Sequence, residues 1–351
     1  MAPGIAQRQQ SCHKNISRSK LLISVSFGLK WRLTLFLTLN LLIMRALKTL
    51  AISTVASLAA VSAQAASLTS SQILNQFNAV ITGNVSTTSD IEGRLVVNNL
   101  VQGATFYNNP RGNASDYSAV NAINIGANGG GNVNNAGGVN WINSNAGHFN
   151  LNGGGSVQHG VPTFSISDFS TPLNTLEAQL AGMTSANSLL NSSDPNNFTF
   201  KLTGNASSTS VFNITTSQLA SAATIKFSGV ADTVVINVRY DGSSSTDKAL
   251  TINGNFNDDT HLGNRIIWNF VDTTAVNFRG WYGTVLAGTS DVQAGSAMNG
   301  FLYAESYTGP GELHDRNFLG TLPAVPEPST WAMMGVGLAG LALVRRRQNK
   351  A

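Results

Sequence analysis

Cysteine is almost absent from this chain of 351 residues, which contains a single one, Cys12. Without a second cysteine the chain has no disulfide framework, and beyond residue 12 it has neither a thiolate zinc site nor a cysteine nucleophile. Charged residues are also scarce, since Asp, Glu, Lys and Arg make up 11% of the chain. The lack of cysteine excludes a small disulfide-stapled scaffold and a zinc-ribbon type of protein.

Positive charge is concentrated at the two ends of the chain. The formal net charge is +4, but only 9 of the 21 Lys and Arg residues lie between Ala66 and Thr330, together with all 17 Asp and Glu residues. The middle therefore carries a net charge of −8. Because an acidic surface repels phosphate backbones, we expect no nucleic-acid partner.

Residues 44–65 have the pattern of a secretory signal peptide. A short basic start precedes an apolar stretch, and Ala63 and Ala65 supply the small residues of a cleavage site. Two interpretations of residues 1–43 remain open: an upstream extension from a mis-assigned start, or part of one long signal whose apolar stretch begins at Leu33. A permanent N-terminal membrane helix is the least favoured, because no uncharged run there reaches the about 20 residues that a bilayer needs. In both cases we expect the chain to be exported by the secretion machinery.

The C-terminal segment, residues 323–351, consists of a short motif, an apolar run over 331–344 and a basic cluster. The motif is Pro326, Glu327 and Pro328, and the basic cluster is Arg345, Arg346 and Arg347. Arginines favour the cytoplasmic side of a membrane, and the apolar run is short for a stable span. This pattern predicts transient anchoring in the inner membrane.

This three-part tail resembles the PEP-CTERM sorting signal. The resemblance implies recognition and cleavage by an exosortase, a membrane transpeptidase of bacteria that make extracellular polysaccharide. It also implies a final location at the cell surface or in the extracellular matrix, as in a biofilm.

Short apolar runs recur between Gly, Asn and Asp turn residues over the middle of the chain, residues 66–322. The runs are Ala79–Ile81, Leu95–Val97, Val211–Ile214, Thr224–Phe227, Val234–Val238, Leu250–Ile252, Ile266–Phe270, Val276–Phe278, Thr284–Ala287 and Phe301–Ala304. Such runs are typical of a solenoid or a sandwich, and their length of three to five residues favours narrow stacked coils. We therefore predict a mostly β fold, an irregular β-solenoid with one or two flanking α-helices. The glycine-rich residues 124–160 fit either a flexible loop or narrow solenoid turns.

Two segments have helical periodicity. Residues 69–80 place Ile73, Leu74, Phe77 and Val80 on one face, with Ser70 or Ser71 as the N-cap, and this segment would cap one end of the solenoid. The pair Thr171-Pro172 predicts the start of a second helix along its flank, because proline is favoured at the first helical position.

Residues 68–322 resemble the choice-of-anchor A domain. The resemblance rests on the opening stretches 77–83 and 88–94 and on the closing stretches 280–287, 299–300, 311–314 and 318–320. It implies pairing with a C-terminal anchor such as the PEP-CTERM tail. The Gly-Thr-Val-Leu-Ala and Asn-Gly-x-Leu-x-Ala pieces are also similar to the final coils of bacterial ice-binding β-solenoids.

Motifs of catalysis are missing from the sequence. There is no Gly-x-Ser-x-Gly elbow, no His-Glu-x-x-His and no phosphate-binding loop, and His148, His159, His261 and His314 are scattered. We therefore expect no catalytic residue and no enzymatic activity. Glu312 and His314 are the best candidates for metal ligands, but two ligands are fewer than the three or four of a zinc site.

Several polar clusters have alternative interpretations. The segment Asp241–Asp247 and the pair Asp258-Asp259 supply oxygen ligands for Ca²⁺, although neither has the spacing of a known calcium loop; otherwise we expect no cofactor. On a predicted strand, Asp90, Glu92 and Arg94 would share one face as an ion pair or as carboxylates of a glycosidase.

The aromatic residues allow two interpretations as well. Trp141, Trp268, Trp281 and Tyr282 belong either to the core or to a sugar-stacking surface.

The sequence thus predicts an exported structural or adhesive protein of the cell surface or extracellular matrix. The alternatives are a binding module for extracellular polysaccharide or, given an irregular threonine pattern, less readily for ice, and more remotely a glycoside hydrolase.

Overall fold

The structure, a computed structural model, describes residues 68–256 and 262–322. The predicted N-terminal extension, the signal peptide with Ala63 and Ala65, the sorting tail with its arginines, His261 and Asp258-Asp259 lie outside the described residues. In the described part the chain forms a mostly β fold with parallel sheets and few helices, as predicted.

The strands form one large sheet and three small ones. The large sheet contains β1 (Ala79–Thr87), β2 (Leu95–Gln102), β4 (Val120–Asn128), β6 (Val139–Asn145), β8 (Val157–His159), β11 (Thr209–Thr215), β13 (Thr233–Arg239), β14 (Ala249–Ile252), β16 (Ile266–Phe270), β17 (Ala275–Phe278), β19 (Thr284–Ala294) and β21 (Leu302–Gly309). The small sheets contain β3 (Thr105–Phe106), β5 (Gly131–Val133) and β7 (Phe149–Leu151); β9 (Ser188–Asn191), β10 (Phe198–Leu202), β12 (Thr224–Ser228) and β15 (Asn255–Phe256); and β18 (Trp281–Tyr282), β20 (Met298–Asn299) and β22 (Leu313–His314). All ten predicted strands are present.

The large sheet has the path β11-β13-β16-β19-β21-β1-β2-β4-β6-β8, and its pairings are parallel and largely in register. Off this path, β14 pairs with β17, which pairs with β19. From β1 the chain adds strands in one direction as far as β8. It then returns by a helix to the opposite end and adds strands back toward β1, so that the late strand β21 pairs with the first strand.

The glycine-rich residues 124–160 are part of this stack. They contain β5, β6, β7 and β8, and the loops between these strands place Asn135 and Ala136 at positive φ. Gly155 is required by close packing, because a Cβ there would lie 1.8 Å from the carbonyl oxygen of Gly137 in the neighbouring turn. The bias toward glycine therefore reflects tight turns between short strands rather than a long loop.

Apolar residues cover both sides of the large sheet where its strands begin. One cluster lies between the large and small sheets and includes a group of aromatic side chains around Trp268 and Trp281, both fully buried. A second cluster on the opposite side joins the sheet to the helices through residues such as Val96, Leu286 and Phe77. Apolar residues at successive strand positions thus alternate between two cores.

The described residues contain three α-helices and two short 3₁₀ turns. The helices are α1 (Ser70–Gln76), α2 (Ser167–Ala181) and α3 (Thr216–Ser221), and the 3₁₀ turns are Pro195–Asn197 and Gly263–Arg265. In the described part of the chain no helix is long and apolar enough to cross a membrane.

The first predicted helix is present but shorter than expected. It ends at Gln76, and Val80 belongs to β1, so a helix over residues 69–80 was wrong. Thr69 provides the N-cap through a capping box with Gln72, whereas the Ser70 hydroxyl donates to the carbonyl oxygen of Pro172. Because α1 leads into β1 in the middle of the stack, it does not cap an end of it.

The second predicted helix starts one turn earlier than Pro172. Helix α2 begins at Ser167, and Pro172 lies inside it. The reason is Phe169, which is fully buried and extends the apolar face of Leu173, Leu176 and Leu180 toward the N-terminus. Burial of this aromatic ring outweighs the hydrogen bond that the proline cannot donate.

Candidate functional site

Catalytic side chains do not converge in the described part of the chain. His148 and His159 are exposed on separate strands or loops, and no group of three or more His, Cys, Asp or Glu residues that could hold a metal ion occurs in residues 68–256 and 262–322. The role of each candidate therefore follows from what its own side chain contacts.

The candidate metal ligands Glu312 and His314 do meet. Nε2 of His314 lies 2.9 Å from Oε2 of Glu312 and 4.0 Å from Oε1 of Glu92, and its Nδ1 lies 2.9 Å from Oδ1 of Asn299. The imidazole thus has a hydrogen-bond partner on each side. Through its bond to Asn299, His314 links β22 to the neighbouring strand β20.

Asp90, Glu92 and Arg94 do not form the predicted strand or ion pair. In this segment only Ile91 pairs, through isolated bridges to Phe106 and Leu313. The carboxylate of Glu92 turns inward and accepts hydrogen bonds from the backbone N–H of Asp315 at 2.9 Å and from Arg316 at 3.4 Å. Arg94 instead donates to backbone carbonyl oxygens, among them that of Asn113 at 2.8 Å. The three side chains are used for structure and do not line a cleft together.

The calcium candidate Asp241 is also engaged by the protein. Its Oδ1 accepts hydrogen bonds from the hydroxyls of Thr216 and Ser217 at 2.7 and 3.0 Å and from the N–H of Ser217 at 3.0 Å. These bonds lower the pKa of Asp241 well below its usual range. The carboxylate therefore caps the start of α3.

Of the four aromatic candidates, Trp268 and Trp281 are buried in the core, whereas Trp141 and Tyr282 are partly exposed. Trp141 stacks on His159 with ring centroids 4.1 Å apart and an interplanar angle of 26°. A continuous aromatic surface for sugar stacking is therefore not formed by these residues.

A broad polar face lies on the large sheet, on the outer surface of β14, β17, β19, β21, β1, β2 and β4. We call it the amide face. Register places one outward residue of each strand in a first row: Thr251, Asn277, Gln293, Thr308, Ser86, Gln102 and Asn128. A second row, on the N-terminal side of the first, consists of Ala249, Ala275, Asp291, Ser306, Asn84, Asn99, Asn124 and Ser144, the last on β6.

Between the two rows the strands turn apolar residues into the core. These are Leu250, Val276, Val292, Tyr307, Val85, Leu100 and Ile125, all buried. The alternation is that of strands with one buried and one exposed face. It leaves two rows dominated by amides and hydroxyls, in which Asp291 is the one charged residue and no Lys or Arg occurs.

Side chains of the second row bond to one another along the stack. Nδ2 of Asn99 donates to Oδ1 of Asn84 at 3.0 Å, Nδ2 of Asn124 donates to Oδ1 of Asn99 at 3.0 Å, and the hydroxyl of Ser144 donates to Oδ1 of Asn124 at 3.1 Å. We call this series the amide ladder. Farther along the row, the hydroxyl of Ser306 donates to Asp291.

A shallow depression of about 320 Å³ lies in the middle of the amide face. It is lined by Gly83, Asn84, Ser86, Val101, Asp291, Glu305, Ser306 and Thr308. At Gly83 the backbones of β1 and β21 approach closely, because a Cβ there would lie 2.7 Å from the carbonyl oxygen of Glu305. Val101 is 47% exposed and provides an apolar spot among polar groups.

Sequence reasoning missed the amide face. The alternation of polar and apolar residues was visible within single strands such as Asn84–Ser86 and Ser306–Thr308. Which residues become neighbours depends on the length of every turn between strands, and that length has no simple signature in the sequence.

The comparisons with known proteins give two family matches. A family described as "Putative Ice-binding-like adhesive domain" matches residues 70–315, and the PEP-CTERM protein-sorting motif matches residues 324–347. No curated protein matches the chain.

Two solved structures are similar in part. An ice-binding protein from the Antarctic ascomycete Antarctomyces psychrotrophicus is 10% identical, with 70% of this chain and 96% of that chain covered and a TM-score of 0.28. An ice-binding protein from an Antarctic biological consortium is 13% identical, with 72% and 92% covered and a TM-score of 0.29. Since the adhesive-domain match spans more than half of the sequence, the chain belongs to the ice-binding-like adhesive domain family, with a PEP-CTERM sorting motif at its C-terminal end.

Proposed function

We propose that this protein is an exported, non-enzymatic adhesin of the cell surface or extracellular matrix, and that its amide face attaches it to extracellular polysaccharide. The observation that carries the proposal is the amide face itself, a wide surface dominated by amide and hydroxyl side chains that the sheet holds in register. The adhesive-domain family and the sorting motif support it.

The body that presents this face is, in our interpretation, an irregular β-solenoid. Successive passes of the chain return to the large sheet beside the previous pass and in parallel, as in the series β2, β4, β6 and β8. Between these passes the chain visits the small sheet of β3, β5 and β7. Such coils build long faces rather than deep clefts, which suits attachment.

A non-enzymatic role is supported by the engagement of the catalytic and metal-binding candidates that the sequence offered. Glu92 bonds to Asp315 and Arg316, His314 lies between Glu312 and Asn299, and Asp241 caps a helix. A hydrolase would need a carboxylate or imidazole free to reach substrate in a cleft.

Delivery to the surface would follow the sorting motif. We propose that the chain is exported by the secretion machinery, held transiently in the inner membrane by its tail, and processed by an exosortase. We further propose that the body is a choice-of-anchor A domain, in which case the tail is one of several anchors that this type of domain uses.

The sorting part is tested by changing Pro326, Glu327 and Pro328 together to alanine. We expect the variant to remain unprocessed in the membrane fraction, because the apolar run and the arginines are unchanged. Pro310→Ala, which removes an exposed proline outside the tail, serves as control. Fractionation and mass determination of the tail decide the outcome, and release of the triple variant at the parental level would refute the proposal.

Adhesion is tested with cells that lack the gene. Attachment to a matrix-coated surface should fall without the protein and return with the wild-type chain, but not with a chain in which Asn99 and Asn124 are both changed to Asp. If cells without the protein attach as well as the parent, the adhesive function is wrong.

A further inference from the structure

Resting on the proposed adhesive function, we infer that the ligand of the amide face is an extended, uncharged polysaccharide that lies across the strands, parallel to the amide ladder. This inference adds the ligand's charge, its shape and its direction on the protein. Each of the three follows from a different feature of the face.

The direction follows from the hydrogen bonds of the ladder. Asn99 donates one N–H to Asn84 and accepts one hydrogen bond from Asn124, and Asn124 is used in the same way between Asn99 and Ser144. A carboxamide has two N–H donors and two acceptor positions, so each of these two residues keeps one donor and one acceptor for a ligand. The side chains are fixed in advance, which lowers the entropy lost on binding.

The extended shape follows from the spacing of the rows. Parallel strands lie about 4.8 Å apart, so equivalent donors and acceptors repeat at that distance along the stack. An extended chain of β-linked pyranoses advances by a similar distance per sugar. A chain that crosses the strands therefore offers one set of hydroxyls to each strand of the face.

The lack of charge follows from the composition of the face. No Lys or Arg stands in either row, and the residues from Ala66 to Thr330 carry a net charge of −8. A polysaccharide rich in carboxylate or sulfate groups would be repelled by this surface and would find no cation in the two rows to pair with. Hydroxyl and acetal oxygens are matched by the amides and hydroxyls that are present.

The depression on the face supplies the one apolar contact. Val101 stands beside Asn84, Ser86 and Thr308 because the register shift between Leu100 and Gln102 turns it outward. The C–H face of a pyranose ring can pack on this valine while its hydroxyls bond to the surrounding polar groups. We therefore expect one sugar of the chain to sit in the depression.

The test uses the purified exported protein and three insoluble probes: a neutral β-1,4-glucan, a neutral β-linked polymer of N-acetylated sugar, and a cross-linked polyuronate. We expect binding to at least one neutral probe and none to the polyuronate at equal salt. Asn99→Asp and Asn124→Asp place charge on the ladder and should each weaken binding by tenfold or more. Asn150→Asp is the matched control, because Asn150 also bonds to a stacked asparagine, Asn132, but on the small sheet of β5 and β7.

Gln102→Ala and Gln293→Ala extend the test to the first row and should also reduce binding, with thermal unfolding used to verify that each variant is folded. Equal loss in Asn150→Asp, unchanged binding in both ladder variants, or preference for the polyuronate would overturn the inference. If cells still require the protein for attachment but no neutral probe binds, the ligand class is wrong while the adhesive function stands. Parental attachment by cells that lack the protein would instead refute the function.

Discussion

Glu177 is a carboxylic acid in an unusual position, on the side of α2 that faces the sheet. Its Oε1 accepts a hydrogen bond from the N–H of Gly288 at 2.8 Å, at the irregular segment where β19 shifts register. Burial raises the pKa of Glu177 to about 7, and the bond from Gly288 opposes part of that rise. The carboxyl therefore links a helix to a bend of the sheet and changes protonation near neutral pH.

Replacement of Glu177 by Gln should change how stability depends on pH. The folded pKa of about 7 lies above the ordinary value of 4.5, so the folded protein binds more protons between these values. The contribution of Glu177 is therefore most favourable below about pH 4.5, and it is lost as pH rises through about 7. The free energy of unfolding, measured with urea at about pH 5 and at about pH 8, should fall between these two pH values in the wild type. In Glu177→Gln it should fall less. Glu305→Gln, at an exposed position, should keep the wild-type difference; equal differences in all three would contradict the assignment.

At the scale of elements, helix α2 is attached to the sheet by asparagines in register. Asn237 on β13 donates to the carbonyl oxygen of Leu180 at 2.8 Å, and Asn269 on β16 donates to that of Glu177 at 3.0 Å. Each also bonds to the next asparagine, Asn269 to Asn237 and Asn237 to Asn213. These side-chain bonds to carbonyl oxygens attach the last turns of α2 to the sheet.

The change Asn269→Ala should destabilise the fold by about 1–3 kcal/mol, because the buried Oδ1 of Asn237 loses its donor and the carbonyl oxygen of Glu177 loses its bond to the sheet. Asn213→Ala is the matched control at the exposed end of the same series and should cost less than Asn269→Ala. Chemical unfolding of the two variants provides the comparison. Equal losses of stability in the two variants would mean that a buried asparagine of this series contributes no more than an exposed one.

How far the sequence predicted these elements depends on the range of the interactions. The apolar face of α2 was readable from Leu173, Leu176 and Leu180, since helix periodicity is local. Its true start was not, because Phe169 is held by partners distant in sequence, such as Phe77, with ring centroids 5.2 Å apart. The alignment of Asn213, Asn237 and Asn269, like that of the amide ladder, depends on register between strands, and these asparagines are 24 and 32 residues apart.

At the scale of the whole molecule, the β structure of residues 68–322 begins beside the place where it ends. The first strand, β1, pairs with β21, and the segment after β22 is fixed near α1 by a buried ion pair between Arg111 and Asp315, with Nε and Oδ1 2.6 Å apart. Arg111 also donates to the carbonyl oxygen of Phe77 at 2.8 Å and to Oδ1 of Asn317 at 2.6 Å. We call these contacts the C-terminal clamp.

From the clamp the chain runs along the sheet toward β13. The N–H of Leu319 donates to the carbonyl oxygen of Asn264 at 2.7 Å, and the N–H of Thr321 donates to Oδ2 of Asp232 at 2.7 Å. Asp232 is in turn paired with Arg265 at 2.9 Å. In a surface-attached protein, load between the amide face and the tail would pass through this segment and the C-terminal clamp.

Arg111→Ala should release the segment 313–322 while the rest of the sheet stays folded or is destabilised less. Removing the guanidinium leaves the carboxylate of Asp315 buried without its partner, and breaking such a pair costs about 3–5 kcal/mol. The measurement is hydrogen exchange by mass spectrometry, in which peptides from 313–322 should lose protection before peptides from β2 and β4. Arg279→Ala, at an exposed arginine, should leave the exchange pattern unchanged. The tail follows this segment directly. If the protein is pulled between its C-terminus and its amide face, Arg111→Ala should therefore begin to unfold at a lower force than the wild type. Unaltered protection of 313–322 in Arg111→Ala would show that the ion pair does not hold the segment, and the load would then have to pass through the contacts of Asp232.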